Sequence, residues 1–344
     1  MKHKPRVGIA FQGGGFPAGA IGAGVVRYLV ERGAFRTYDV AVLSGTSAGA
    51  LVATVCWGHL LKDTIEDAPQ TLEKQWMHFA LGVIPDPGVA QLSQLVDSLG
   101  RMNPVYRYYA DNMLVPFMRY LLKDWILRYI PVDELIAIRD QAARVPGLAL
   151  GAADVLHGTI KVFTERDFCL EAILSSGSLD EINGITTIAA GPNKGTYCDG
   201  AWGTNPPITP LLDYGIDELW YVEVFPKERR EVPRTPADRK DRKDELWQNS
   251  LVEHELYHIE KVNEWLRAGR LRNDDHKYRL ITVKRMPMTL DLPVGAAYVN
   301  SPTFIQEMMA YGYEHAAIFL DTSIAGGDGQ SVRGNGAKLV EKTV

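Results

Sequence analysis

Short apolar runs closed by glycine alternate with longer apolar stretches over the N-terminal part of the chain. Arg6 to Phe11 is the first such run, and it predicts a buried strand. The glycine-rich stretch Gln12 to Gly19 follows. Ala20 to Val30 then has the length and composition of a helix, stopped by Arg32-Gly33. Tyr38 to Leu43 repeats the strand pattern, and Ala50 to Trp57 reads as a buried helix.

From Gly58 to about Pro146 the pattern is helical and rich in aromatics: Trp76, Phe79, Tyr106, Tyr108, Tyr109, Phe117, Tyr120, Trp125 and Tyr129. Met113 to Ile130 shows apolar residues at helical spacing with charges between them. This region reads as a helical layer packed on the sheet, or as a lid or lipid-facing surface where Trp and Tyr suit an interface. Gly147 to Ala152, Thr159 to Phe163 and Leu219 to Val224 read as strands, and Thr186 to Ala190 and Gly195 to Cys198 lead into Asp199-Gly200-Ala201-Trp202. Leu170 to Leu179 reads as a short helix running into a loop. Lys227 to Glu245 is dense in both charges and holds two prolines, which predicts a solvated loop. Helices are expected over Leu251 to Arg267 and Ser301 to Leu320. The glycine-rich tail, 323–344, reads as disordered. The organisation predicted is one domain over 1–322, with a helical insertion at about 58–146.

Composition narrows the classes. The 344 residues carry 37 Lys and Arg against 42 Asp and Glu, a net charge of −5, so no global field draws the chain to nucleic acid. Three scattered cysteines, Cys56, Cys169 and Cys198, make neither a disulfide framework nor a zinc site. The basic start is followed by an apolar run, Val7 to Phe11, too short for a signal peptide, so a cytoplasmic location is expected. Val40 to Leu61 has no charged residue, which admits a membrane span as a rival reading. Its strand-like start and its Ser-Gly-Thr-Ser centre argue against one.

The candidate chemistry centres on Gly45-Thr46-Ser47-Ala48-Gly49. A serine between strand and helix, with glycines two before and two after, has the pattern of a nucleophile elbow. The turn is so sharp that only small residues fit beside it, and the hydroxyl stands clear at the head of a helix. A plain glycine-rich turn without chemistry is the alternative on this stretch alone. The first glycine loop offers Gly13, Gly14 and Gly15 at the head of a helix, an anion-binding arrangement. It fits an oxyanion hole for acyl transfer. It also fits the dinucleotide fingerprint, although the second strand ends without the acid that would hold a ribose. His254-Glu255-Leu256-Tyr257-His258 matches the zinc-peptidase pattern H-E-x-x-H. At about 100° per residue, however, both histidines project away from the apolar stripe Val252, Leu256, Ile259, Val262 and Leu266. A Ser-His-Asp triad could be assembled from the eight histidines, but none lies in a recognisable motif.

Three pieces stand in order: Gly13-Gly14-Gly15, the Ser47 elbow, and Asp199-Gly200-Ala201. Together, at these distances, they resemble the patatin-like phospholipase family over roughly residues 6–225. The resemblance implies a three-layer α/β/α fold with a central, mostly parallel sheet. It also implies Ser47 as nucleophile, Asp199 as its base, Gly13, Gly14 and Gly15 as the oxyanion hole, and Gly45 and Gly49 as the elbow glycines. No cofactor or metal is expected. The implied substrate is a lipid or other ester, cleaved through a covalent acyl-enzyme, and peripheral contact with a membrane would suit it. The family's loop often begins with Asp and carries Arg after the glycines; here Gln12 and Phe16-Pro17 stand there. The chemistry is sound on its own terms, because a carboxylate within reach and partly desolvated can take a serine proton directly. A catalytically silent lipid binder of the same fold, or less readily a dinucleotide-dependent oxidoreductase, is the alternative function.

Overall fold

The first strands are apolar over Val7–Phe11 and Val40–Leu43 because both faces of the sheet are covered there. The computed structural model describes residues 4–82, 110–180, 182–272, 278–292, 296–297 and 299–325. Among these, the chain runs β1 (Arg6–Phe11), α1 (Gly15–Glu31), α2 (Ala34–Thr37), β2 (Asp39–Thr46), α3 (Ala48–Leu61), α4 (Ala68–Gly82), α5 (Val115–Tyr129) and α6 (Val132–Gln141). It continues through β3 (Gly147–Asp154), β4 (Thr159–Thr164), α7 (Leu170–Ser176), β5 (Thr186–Ile188), β6 (Gly195–Asp199) and β7 (Glu218–Val222). It ends with α8 (Pro236–Arg267), β8 (Thr282–Met286) and α9 (Pro302–Ala325). The sheet order is β5-β6-β3-β2-β1-β7-β8, with β4 also pairing β3. The pairs β2–β1, β3–β2, β1–β7 and β7–β8 are parallel; β4 and β6 run antiparallel to β3.

The period of two along each strand divides the core. Ile9, Phe11, Leu43, Leu150 and Val222 face the layer of α1, α3, α4 and α9. Ala10, Val42, Ala149, Leu219 and Tyr221 face Val252, Leu256 and Ile259 of α8. This is a three-layer α/β/α arrangement around a central, mostly parallel sheet, as expected. The α3 helix is buried from Ala48 to Gly58, which is why it carries no polar face. Among the described residues no helix is long and apolar enough to cross a membrane.

Three elements depart from the sequence reading. The charged stretch expected to be a loop as far as Glu245 turns helical at Pro236. Thr235 caps α8, accepting from the Asp238 N–H while the Asp238 carboxylate accepts from Thr235 N–H, and Pro236 sits at the first turn, where its missing N–H costs nothing. The charges on its inner side are used. Arg229 pairs with Asp241, with Glu245 at 2.6 Å and with Asp291 at 3.3 Å, fastening the preceding loop to the helix. Second, the edge strand β8 carries Lys284 and Arg285 and gives no apolar signal. Third, α9 runs to Ala325, past the expected end of order; residues 326–344 of the expected tail, like Tyr106, Tyr108 and Tyr109, lie outside the described residues.

Candidate active site

Strand register brings the three sequence motifs together. Phe11 lies level with Gly45, Thr46 with Gly151, and Ala152 with Asp199. The glycine loop and Ser47 therefore emerge side by side from β1 and β2, and Asp199 at the same level from β6 across β3, at the carboxyl ends of the central parallel strands, where open α/β sheets place their ligands.

The elbow is as tight as its glycines predict. A Cβ on Gly45 would lie 2.3 Å from the Gly49 carbonyl oxygen, and one on Gly49 would lie 2.2 Å from that of Phe11. Ser47 itself sits at φ 54°, ψ −123°, a region that L-residues seldom occupy. Its N–H donates to the Ser176 carbonyl at 3.1 Å and reaches the Ser176 hydroxyl at 3.0 Å. The strained residue is thus held by the small-residue turn that ends α7.

Asp199 is 1% exposed. Its N–H donates to the Ser178 carbonyl at 2.8 Å, its Oδ1 accepts from Ala201 N–H at 2.8 Å, and the Ser47 side chain favours its charged form. Burial lifts its pKa from the ordinary 3.8 to about 6, against the opposing pull of the Ala201 N–H and the Ser47 side chain. A carboxylate poised there is mostly ionised at neutral pH and still basic enough to accept a hydroxyl proton. Among the described residues no histidine hydrogen-bonds to either residue. His59 bonds to Thr64 and Thr71, His157 to Asp154, and His315 to Thr289.

The expected glycine trio divides. Gly13 N–H donates to Asn205 Oδ1 at 2.6 Å, and Gly13 carbonyl accepts from Asn205 Nδ2 at 3.2 Å. Gly13 differs from the expectation here, because its N–H already has a partner. Gly14 and Gly15, at the head of α1, have no hydrogen-bond partner for their N–H groups among the described residues. Gln12 is buried, accepting from Val224 N–H at 2.8 Å and Phe225 N–H at 3.2 Å and donating to the Asn205 carbonyl at 3.4 Å. That combination of two accepted bonds and one donated needs an amide, which an aspartate could not supply. Phe16 is stacked into Phe79 with centroids 4.6 Å apart, in a cluster with Trp76 and Trp125. The position where the family often has arginine is filled by packing.

The zinc-like motif splits in the same instructive way. His254 and His258 are exposed, while Glu255 turns inward, accepting from the N–H of Ile208 at 2.9 Å and Thr209 at 2.6 Å and from the Thr204 hydroxyl at 3.1 Å. It fastens the chain just after the Asp199 turn. The carboxylates of Asp241, Glu245 and Asp291 converge, but the Arg229 guanidinium already meets their charge. A cavity of about 460 Å³ opens between α1, α4 and α9, lined by Arg27, Glu73, Met309 and Tyr313, and none of Ser47, Asp199 or the glycine loop borders it.

Sequence reasoning passed over Ser176, Asn205 and Gln248. Asn205 was visible only as part of Asn-Pro-Pro, and Gln248 fell between a stretch read as loop and one read as helix.

A search among curated proteins finds no significant match. Two solved structures are similar at low level. The crystal structure of VipD from Legionella pneumophila is 12% identical, with 94% of this chain and 67% of that chain covered and a TM-score of 0.41. The type III effector ExoU is 16% identical, with 93% and 53% covered and a TM-score of 0.33; this chain spans about half its length. The model of the patatin-like phospholipase family matches residues 9–212, more than half of the chain, and so takes in the glycine loop, the Ser47 elbow and Asp199. The chain belongs to the patatin-like phospholipase family, a family of lipid ester hydrolases.

Proposed function

We propose that the chain hydrolyses carboxylic esters of lipids through a Ser47–Asp199 dyad. The observation that carries this reading is the meeting of the strained Ser47 elbow with the buried Asp199 carboxyl, whose pKa is lifted to about 6 and whose charged form the Ser47 side chain favours. Ser47 Oγ attacks the ester carbonyl carbon while its proton passes to the Asp199 carboxylate. The negative charge that develops on the carbonyl oxygen is met by the free N–H groups of Gly14 and Gly15, reinforced by the dipole of α1. Collapse breaks the bond to the alcohol, which leaves with the proton from Asp199. Water, giving a proton to the same carboxylate, then attacks the acyl-Ser47 ester, and the acid departs as Ser47 regains its hydrogen.

An apolar rim supports a lipid substrate met at an interface. Met113, just before α5, and Phe117 and Tyr120 in its first turns are exposed, and Arg119 of that helix donates to the Ile185 carbonyl at 3.3 Å and to Thr186 Oγ1 at 2.9 Å. Ile185, beside Arg119, is exposed too, and so is Trp202, three residues after Asp199.

The test is labelling with a fluorophosphonate, followed by peptide mapping. A stoichiometric adduct on Ser47, with hydrolysis of a p-nitrophenyl ester lost on Ser47→Ala by a factor of order 10⁴, is the expected result. A folded protein that takes no adduct and hydrolyses no ester would be a lipid binder instead.

A further inference from the structure

Two amide side chains join the halves of the proposed site. Asn205 is 1% exposed and spends its side chain on a double grip of the Gly13 peptide, donating to its carbonyl and accepting from its N–H. Its Nδ2 also donates to Gln248 Oε1 at 2.8 Å. Gln248, reaching in from α8, donates from Nε2 to the Ala201 carbonyl at 3.1 Å. Ala201 in turn gives its N–H to Asp199 Oδ1. A continuous run of hydrogen bonds thus passes from the glycine loop, through Asn205 and Gln248, to the catalytic carboxylate. Its two ends lie 186 residues apart in the sequence, from Gly13 to Asp199 (199 − 13).

Resting on the hydrolase reading above, we propose that Asn205 and Gln248 are positioning residues that hold the Gly14 and Gly15 N–H groups in register with Ser47 and Asp199. Gly13 is the residue immediately before those donors. The Gly13 carbonyl and the Gly14 N–H belong to one peptide plane, so holding that carbonyl sets the direction of the Gly14 N–H, and the Gly15 N–H follows one residue on at the head of α1. Oxyanion stabilisation depends on donors placed before charge develops, with tolerances of about half an ångström. The same amides, if they served only to satisfy buried polar groups, would have no reason to select the backbone on either side of the reacting groups. Here both partners of the bridge are that backbone: Gly13 beside the donors and Ala201 beside the base. Gln248 comes from a third element, so α8 stabilises the spacing without contributing a reacting atom.

The test separates positioning from folding. Gln248→Met keeps the volume and removes both bonds. Gln248→Glu keeps the bond from Asn205 but sets a carboxylate oxygen against the Ala201 carbonyl, near Asp199. Measured per folded molecule with a soluble ester, Gln248→Met should lower kcat and the rate of Ser47 phosphonylation about 10- to 100-fold, with KM changed less than about twofold. Gln248→Glu should lose less and should move the acid limb of the pH–rate profile upward, because a second negative charge makes Asp199 harder to ionise. A merely structural role would lower the melting temperature and leave both kcat and the pH profile alone. In the wild-type protein, residue-resolved amide exchange should find Gly13 protected and Gly14 and Gly15 exchanging freely, the latter two becoming protected once Ser47 carries a phosphonyl group. That measurement needs no variant to fold. An active wild type with unchanged kcat in Gln248→Met, or with Gly13 exchanging as fast as Gly14, overturns this inference alone. A folded wild type that takes no adduct and cleaves no ester overturns the hydrolase reading, and this inference with it.

Discussion

Replacing Asp199 by Asn should make the protein inactive and more stable, and the gain should depend on pH in a defined direction. The carboxyl is fully buried and its pKa is raised from 3.8 to about 6, chiefly by desolvation. Between these two values the folded state holds a proton that the unfolded state has released. The contribution to stability is therefore complete below about pH 4 and is lost as pH rises through about 6. At about 1.4 kcal/mol per pH unit, the ionised form costs the folded state about 3 kcal/mol at pH 8. Asparagine keeps an oxygen for the Ala201 N–H and carries no charge, so it escapes that cost. Urea unfolding at a series of pH values should find Asp199→Asn more stable than wild type by up to about 3 kcal/mol at pH 8, the difference closing to near zero by pH 4. Hydrolysis should fall by a factor of order 10⁴, matching Ser47→Ala, and the double variant should be no worse because the two residues act as one unit. A difference in stability that is the same at pH 4 and pH 8, or a variant less stable at pH 8, would refute the claim that burial strains this carboxylate.

Other consequences can be checked alongside. Gly45→Ala should cost about 3 kcal/mol in denaturant unfolding, since its methyl would overlap the Gly49 carbonyl oxygen at 2.3 Å; a loss below about 0.5 kcal/mol would mean the elbow has room to relax. Arg229→Met should destabilise by about 3 kcal/mol by leaving the Asp241 carboxylate without its cation and Glu245 with Arg242 alone, and acid should restore part of the loss. Phe117→Ser with Tyr120→Ser should lower hydrolysis of vesicle esters several-fold more than hydrolysis of a soluble ester; an equal effect on both would remove these side chains from the lipid-facing rim.

Much of the architecture was legible because it is written in local patterns. A strand buried on both faces must be apolar along its length, and a helix buried all round must lack a polar side; β1, β2 and α3 meet those demands within contiguous stretches. The elbow was legible for a steric reason, since no residue but glycine can stand at 45 or 49 when strand and helix come this close. What was hidden obeys a different logic. The start of α8 is set by a Thr-Pro-x-Asp cap whose meaning was masked by the density of charge around it, and two of those charges, Asp241 and Glu245, face inward to Arg229. The motif His254 to His258 pointed to a metal by spelling, yet only its glutamate turns inward, to hold backbone N–H groups. Gly13, Asn205 and Gln248 depend on one another across three elements, and each alone is an ordinary residue of its type. Reacting side chains must stand at strand ends and helix heads, so short motifs betray them. The groups that hold them need only reach the right backbone atom, and they can arrive from any element that packs nearby. A site of this kind announces its chemistry in sequence and keeps its precision in the fold.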